Sequence, residues 1–456
     1  MANIIKNAPL FHIYGIKGWI NDPNGLIKYK DEYHVFYQYH PYSTSWGPMH
    51  WGHQVSKDLM HWRELSIALT PGGIGDKDGC FSGSSIIHDG KLYLMYTGFN
   101  ENGGGDAIRQ VQCLASSSDG INFIKHGIVI DSSLLPEGYL KTDFRDPYII
   151  KQNDTYYVLI AAKTNNNKGR ILMYKSNNLF DWTFVSDILD KDSLGSMIEC
   201  PTYNDELGLL IYSEQFQPQE GIIHKNIHTQ RYLIGKIDFE TGKFKEINRG
   251  IVDYGFDFYA PQIFNDDKKM IAWMSMWDRN YPTSKYGYTG MLTLVRDIDV
   301  LDSELVQKPI FKGELVQQGN IDTMLVGKLK YGKLSLYIQE LKNFSIEFRK
   351  GNDCYTSFKL INDEWVFDRS HSGEQITGAE KDDDSLASIR RMPLKKATNH
   401  QIDIILDEFS AEIFVDNFSL TALIYPKDNS DKFIITSDAK CCSYKLYEMK
   451  GGTIYE

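Results

Sequence analysis

Three acids in this chain sit in short motifs of similar build: Asp22 in Asn21-Asp22-Pro23-Asn24-Gly25, Asp146 in Arg145-Asp146-Pro147, and Glu199 in Glu199-Cys200-Pro201. Two more motifs, Phe81-Ser82-Gly83-Ser84 and Tyr259-Ala260-Pro261-Gln262, hold equivalent places without an acid. Each motif precedes a run of alternating aromatic and aliphatic residues. Those runs centre on Val35, Leu94, Val158, Ile211 and Ile271, in steps of 59, 64, 53 and 60 residues. A lone Asp-Pro starts many turns, but equal offsets in a repeat mean equal positions in a repeated unit. Units closed into a ring would aim Asp22, Asp146 and Glu199 into one central hole. Glycoside cleavage needs such an arrangement, one carboxyl giving a proton to the leaving oxygen while another attacks the sugar carbon or activates water.

The elements that must position these acids have a period of two, as in Tyr33-His34-Val35-Phe36-Tyr37 and Leu92-Tyr93-Leu94-Met95-Tyr96. Turn pairs such as Asp89-Gly90 and Asn153-Asp154 punctuate them. A unit of this length holds about four strands with their turns, the size of a propeller blade. The repeat shows again after the first three runs, in Ser56-Lys57-Asp58 with Trp62, Ser118-Asp119 with Phe123 and Ser176-Asn177 with Trp182. The expected fold is therefore all-β, a five-bladed β-propeller over residues 1–305. Past Leu301 the motif stops while alternation continues, as in Phe344-Ser345-Ile346-Glu347-Phe348, and residues 320–456 are expected to form a C-terminal β-sandwich. Glu380-Lys381-Asp382-Asp383-Asp384 reads as a solvated loop. Gly103-Gly104-Gly105 lacks the Lys and Ser/Thr of a phosphate-cradling loop and reads as a flexible connection.

Composition narrows the function. The 456 residues are 42% hydrophobic and 24% charged, with 28 tyrosines and a net charge of −11. That balance speaks against a nucleic-acid partner and suits a neutral or carbohydrate one. No stretch of about 18 apolar residues occurs, and Met1 to Gly15 lacks a secretory core, so neither a membrane partner nor export is expected. Six cysteines, of which Cys441 and Cys442 are adjacent, show neither zinc-ligand spacing nor a disulfide framework. No metal and no cofactor are expected, His50 and His53 read as packing residues, and the location expected is cytoplasmic.

Trp19-Ile20-Asn21-Asp22-Pro23-Asn24-Gly25, Phe144-Arg145-Asp146-Pro147 and Met197-Ile198-Glu199-Cys200-Pro201 resemble the three acid motifs of glycoside hydrolase family 32, which comprises invertases, fructan hydrolases and sucrose-6-phosphate hydrolases. The resemblance extends through Phe36-Tyr37-Gln38-Tyr39, Trp46-Gly47-Pro48-Met49-His50-Trp51-Gly52-His53, Phe81-Ser82-Gly83-Ser84, Asp253 to Ala260 and Gly290-Met291-Leu292-Thr293. A weaker likeness in the tail, around Asp368-Arg369-Ser370 and Ala411 to Asp416, matches the family's C-terminal sandwich. It implies a retaining β-fructofuranosidase acting on sucrose, sucrose 6-phosphate or short fructo-oligosaccharides. Asp22 is then the nucleophile, Glu199 the general acid and then base, and Asp146 the stabiliser of the transition state. Glu199 must hold a proton at working pH, which calls for a pKa above the usual ~4.3. Carried over into the fructose pocket are Asn21, Gln38, Trp46, Phe81, Ser82, Arg145, Tyr254, Asp257 and Trp273.

The segment His224-Lys225-Asn226-Ile227-His228-Thr229-Gln230-Arg231 offers cations to a phosphate on the aglycone sugar, with Arg231 the candidate contact. A small-molecule fructoside is the expected partner, with a homo-oligomer through the tail left open. Two alternatives stay beside hydrolysis: fructosyl transfer through the same intermediate, and a non-catalytic fructoside-binding propeller. Retention of all three acids speaks against the second.

Overall fold

Five sheets, antiparallel but for one short pairing in the first, follow one another along the first two thirds of the chain. Each is led by the strand that carries one of the five motifs: Gly18–Tyr29, Gly79–His88, Tyr139–Gln152, Met197–Asn204 and Tyr259–Ile263. The alternating run forms the second strand every time, as in Glu32–His40 paired with Gly18–Tyr29 and Lys91–Asn100 paired with Gly79–His88. The computed structural model describes residues 7–101, 109–189, 195–222, 225–378, 388–427 and 430–449, and no α-helix occurs among them. The triple glycine at 103–105, His224 and the acidic patch at 380–384 lie outside the described residues.

The leading strands touch in sequence and the last touches the first. Side chains stitch this ring to backbone groups. Asn24 Oδ1 accepts from Gly83 N–H (3.1 Å), Ser84 Oγ from Ile149 N–H (2.9 Å), Asp146 Oδ2 from Cys200 N–H (3.0 Å), Thr202 Oγ1 from Ile263 N–H (3.0 Å) and Gln262 Oε1 from Leu26 N–H (3.2 Å). These bonds are needed because every leading strand is bulged and its ladder leaves N–H groups over. Register shifts fall between Ile20 and Pro23, Phe81 and Gly83, Arg145 and Tyr148, Glu199 and Thr202, and Tyr259 and Gln262. Three bulges place the residue before a proline at positive φ: Asp146 at 63°, Cys200 at 49° and Ala260 at 47°. Proline suits a bulge, since it has no N–H to lose from the ladder. A short parallel pairing, Gly18 to Tyr288 and Trp19 to Thr289, ties the end of the ring region to its start.

Two six-stranded sheets follow, between Glu314–Asn320 and Cys441–Glu448. Both contribute to one apolar core, with Leu334, Leu336, Ile402 and Ile413 from one sheet and Ile346, Phe348, Phe358 and Trp365 from the other. The ring adds Phe256, which is covered by the guanidinium groups of Arg369 and Arg390.

Charge fills the junction between the two parts. Fully buried Arg296 donates to Glu412 (2.8 Å), Asp253 (3.2 Å), Thr421 (2.7 Å) and Ser419 (3.0 Å). His12 bridges Asp407 (2.7 Å) and Glu412 (3.0 Å). The turns after the third strands hold another repeat, in which Ser56, Ser117 and Ser176 each cap the turn beside Asp58, Asp119 and Asn178. The capping residues in the second and third sheets are thus Ser117 and Asn178, one place from the Ser118 and Asn177 that dipeptide matching selects.

Candidate active site

Asp22, Asp146 and Glu199 reach one cavity of about 450 Å³, lined also by Asn21, Gln38, Trp46, Phe81, Ser82, Phe99, Gln110, Thr142, Asp143, Arg145, Gln215 and Trp277. The bulges explain the clustering. In a regular strand Asn21 and Asp22, Phe81 and Ser82, or Arg145 and Asp146 would face opposite sides, whereas the extra residue in each bulge lets both neighbours line the hole.

Ser82 Oγ donates to Asp22 Oδ2 at 2.7 Å. Asn21, whose Oδ1 accepts from the Trp19 ring N–H at 2.9 Å, supports the same carboxyl. Asp22 Oδ1 is buried with no protein partner, which leaves that oxygen for a substrate. Burial, and then the charge of Glu199, push the Asp22 pKa up to about 6 against the pull of Ser82 and Asn21. Asp146 rises to about 7 through burial and Glu199, partly offset by Arg145.

Between these two carboxyls stands the Cys200 thiol, 3.6 Å from Asp22 Oδ2 and from Asp146 Oδ2. Burial and the surrounding carboxylates push its pKa far up, so it remains a thiol.

Glu199 is held by donors on both oxygens. Arg145 Nε (3.1 Å) and Nη2 (2.9 Å) reach Oε1, while Gln215 Nε2 (2.8 Å) and Tyr259 Oη (2.7 Å) reach Oε2. Arg145 Nη1 donates to Asp143 (3.1 Å) and Gln110 (3.3 Å). Glu199, the acid expected to carry the proton, thus sits among four donors, three nitrogens and a hydroxyl.

Sequence reasoning missed Phe99, Gln110, Thr142, Asp143, Gln215, Tyr259 and Trp277. Tyr259 was legible, since it stands in the fifth motif at the offset that Glu199 has in the fourth. Gln215 and Trp277 lie at or beyond strand ends, where alternation carries no signal.

Four selected residues do not line the cavity. Asp257 is fully buried at the junction, where Oδ1 accepts from Arg279 (3.1 Å) and Tyr281 (2.8 Å), and Oδ2 from Arg369 and the Leu423 N–H (2.8 Å each). Tyr254 packs edge-on to Phe418 at the same junction. Trp273 is fully buried behind Trp19 and Trp277, with ring centroids 5.7 and 4.8 Å away, so Trp277 is the indole that meets the cavity. Arg231 pairs with Tyr212 across the ladder, on the sheet face opposite Ser213 and Gln230, and its Nε donates to buried Glu214 at 2.8 Å. Its charge is spent on that carboxylate.

A second cavity of about 800 Å³ lies between the far ends of the third to fifth leading strands. It carries none of the acid motifs, and three of its acids pair with lysines, Glu206 with Lys268 and Asp267 and Asp297 with Lys269. Among the described residues no group of His, Cys, Asp and Glu is arranged to hold a metal.

Residues 12–309 match the family model described as the N-terminal domain of glycosyl hydrolases family 32, and residues 315–448 match that family's C-terminal model. A sucrose-6-phosphate hydrolase of Zymomonas mobilis is 34% identical over 98% of this chain and 93% of the relative. The structure of a sucrose-6-phosphate hydrolase from Lactobacillus gasseri superposes with a TM-score of 0.89 at 28% identity, covering 99% of this chain and 94% of that one. A Bombyx mori GH32 beta-fructofuranosidase mutant in complex with sucrose gives 0.84 at 28% identity, with 99% and 95% covered.

Proposed function

The chain belongs to glycoside hydrolase family 32, and we infer from that premise that it is a retaining β-fructofuranosidase hydrolysing terminal fructosyl bonds of sucrose, sucrose 6-phosphate or short fructo-oligosaccharides. The observation that carries this reading is the convergence of Asp22, Asp146 and Glu199, from three different leading strands, on one cavity. Ionised Asp22 attacks the anomeric carbon of the fructosyl unit as Glu199 protonates the bridging oxygen, and the aglycone leaves. Glu199, now a carboxylate, takes a proton from water, which attacks the fructosyl ester and frees Asp22.

With Oε1 pinned by two guanidinium donors, the mobile proton belongs on Glu199 Oε2. Tyr259 can accept there by turning its hydroxyl hydrogen. Asp146 takes hydrogen bonds from fructose hydroxyls, and Asn21, Gln38, Ser82, Trp46 and Phe81 form the polar floor and ring walls around the sugar.

For the architecture we propose a five-bladed β-propeller over residues 1–305 and a β-sandwich over 320–456. The touching ring of leading strands, the single core shared by the two later sheets, and the family-model limits at 309 and 315 support this division. We place the enzyme in the cytoplasm. All six cysteines are free thiols, five of them buried, which suits a reducing compartment, and among the described residues no helix is long and apolar enough to cross a membrane.

The test is incubation of the purified chain with sucrose, sucrose 6-phosphate and 1-kestose, with an assay of free fructose and proton NMR of the nascent product. Early β-fructose is expected. No fructose from any substrate would refute the activity, and an inverted first product would overturn Asp22 as nucleophile.

A further inference from the structure

We infer, resting on the fructosidase reading above, that the leaving-group side of the cavity accepts an uncharged sugar and discriminates against a phosphorylated one, with Asp143 setting the discrimination. The aglycone must lie on the side of Glu199, because that acid has to reach the bridging oxygen. Residues on that side can be traced through contacts. Gln215 bonds Glu199 directly, Arg145 links it to Asp143 and Gln110, Thr142 Oγ1 donates to Asp143 Oδ2 at 2.9 Å, and Trp277 packs edge-on to Tyr259 with centroids 4.7 Å apart.

The wall so defined suits hydroxyls and a sugar face. Gln110, Thr142 and Gln215 offer amide and hydroxyl groups, and the Trp277 ring offers an apolar surface. It does not suit a phosphate. Among the described residues lining the cavity Arg145 is the one cation, set against Asp22, Asp143, Asp146 and Glu199. Its Nε and both terminal nitrogens already donate to Glu199, Asp143 and Gln110.

Two of the cations that the sequence offered are committed elsewhere. Arg231 serves Glu214 behind the sheet, and His228, almost fully buried, turns Nε2 to Asp278 at 3.2 Å. Even with one proton held among the four carboxyls, the cavity that an arriving phosphate dianion enters carries surplus negative charge, to which Asp143 contributes on the leaving-group side. In a partly desolvated cleft that repulsion exceeds its value in water, and an element that repels the competitor is a recognised source of specificity.

The experiment is kcat/KM of the full-length protein on sucrose and on sucrose 6-phosphate at pH 7, in low salt and in 0.5 M NaCl, for the wild type and Asp143→Asn. Sucrose is expected to be favoured by about tenfold or more in low salt, with the ratio shrinking as salt screens the wall. Asp143→Asn is expected to narrow the ratio several-fold. A mere loosening of Arg145 would lower both efficiencies together, so the ratio isolates the charge. Equal or better cleavage of sucrose 6-phosphate by the wild type overturns the inference while leaving the fructosidase intact. A ratio unmoved by Asp143→Asn removes that residue's role. No fructose from either sugar would sink the functional reading and this inference together.

Discussion

Burial makes the carboxyls of Asp22 and Asp146 costly to the fold, and that cost is measurable. The folded pKa of Asp22 is about 6 and that of Asp146 about 7, both above the ordinary 3.8. The folded state therefore holds protons that the unfolded chain releases. Stability from these groups is full below pH 3.8 and is lost as pH rises through 6 and 7, at about 1.4 kcal/mol for each tenfold difference in proton affinity between the folded and unfolded chain. Asp22→Asn and Asp146→Asn should raise the thermal midpoint by several degrees at pH 8 and by almost nothing at pH 4, as read by calorimetry across pH. Activity should fall by three orders of magnitude or more in Asp22→Asn, as loss of a nucleophile implies. The acid limb of kcat/KM should lie near pH 6, where Asp22 gains its proton. Ser82→Ala, which deletes a donor to the Asp22 carboxylate, should move that limb upward by about half a pH unit or more. The acids were legible from their offsets alone. The tether of Glu199 to Gln215 was not, because Gln215 closes its strand and no motif surrounds it.

At the level of the strand, the bulge is the device that converts a repeat into a site. Reading by alternation finds the strands but misjudges which side chains share the hole, because a period of two fails at the position where the extra residue enters. The prolines at 23, 147, 201 and 261 were the visible trace of those interruptions, and the second sheet has Gly83 at its interruption instead. A Cβ on Gly83 would stand 2.1 Å from the Met95 carbonyl oxygen and 2.7 Å from Tyr96 Cα, and backbone cannot yield as a side chain can. Gly83→Ala should thus cost about 1–3 kcal/mol in urea unfolding. It should also depress kcat by displacing Ser82, both being measurable on one preparation. Trp273 illustrates the converse error: a tryptophan inside a strand went to the core, while Trp277, in a turn, met the cavity.

Across the whole molecule, the sequence division near residue 310 hid how tightly the two parts are joined. Arg296 and Glu412 are 116 residues apart in the chain, so no local pattern announces their bond. Asp257 was read as a sugar ligand for the same reason, since its partners Arg369 and Leu423 belong to the other part. Replacing Glu412 with Gln leaves a buried guanidinium short of charge and should cost about 3–5 kcal/mol, seen as an earlier unfolding midpoint. His12 adds a pH dependence. Burial alone would lower its pKa, but Asp407 and Glu412 outweigh burial and raise it to about 9. Its contribution is full below pH 6.5 and disappears as pH rises through 9. The thermal midpoint should therefore drop between pH 7 and 10, a drop that His12→Gln should flatten. The parallel pairing of Trp19 with Thr289 has one more outcome, for biosynthesis. A ribosome must deliver the polypeptide through Thr289 before Trp19 finds its neighbour, so a nascent chain halted earlier holds all three acids yet lacks this tie between the end of the ring region and its start.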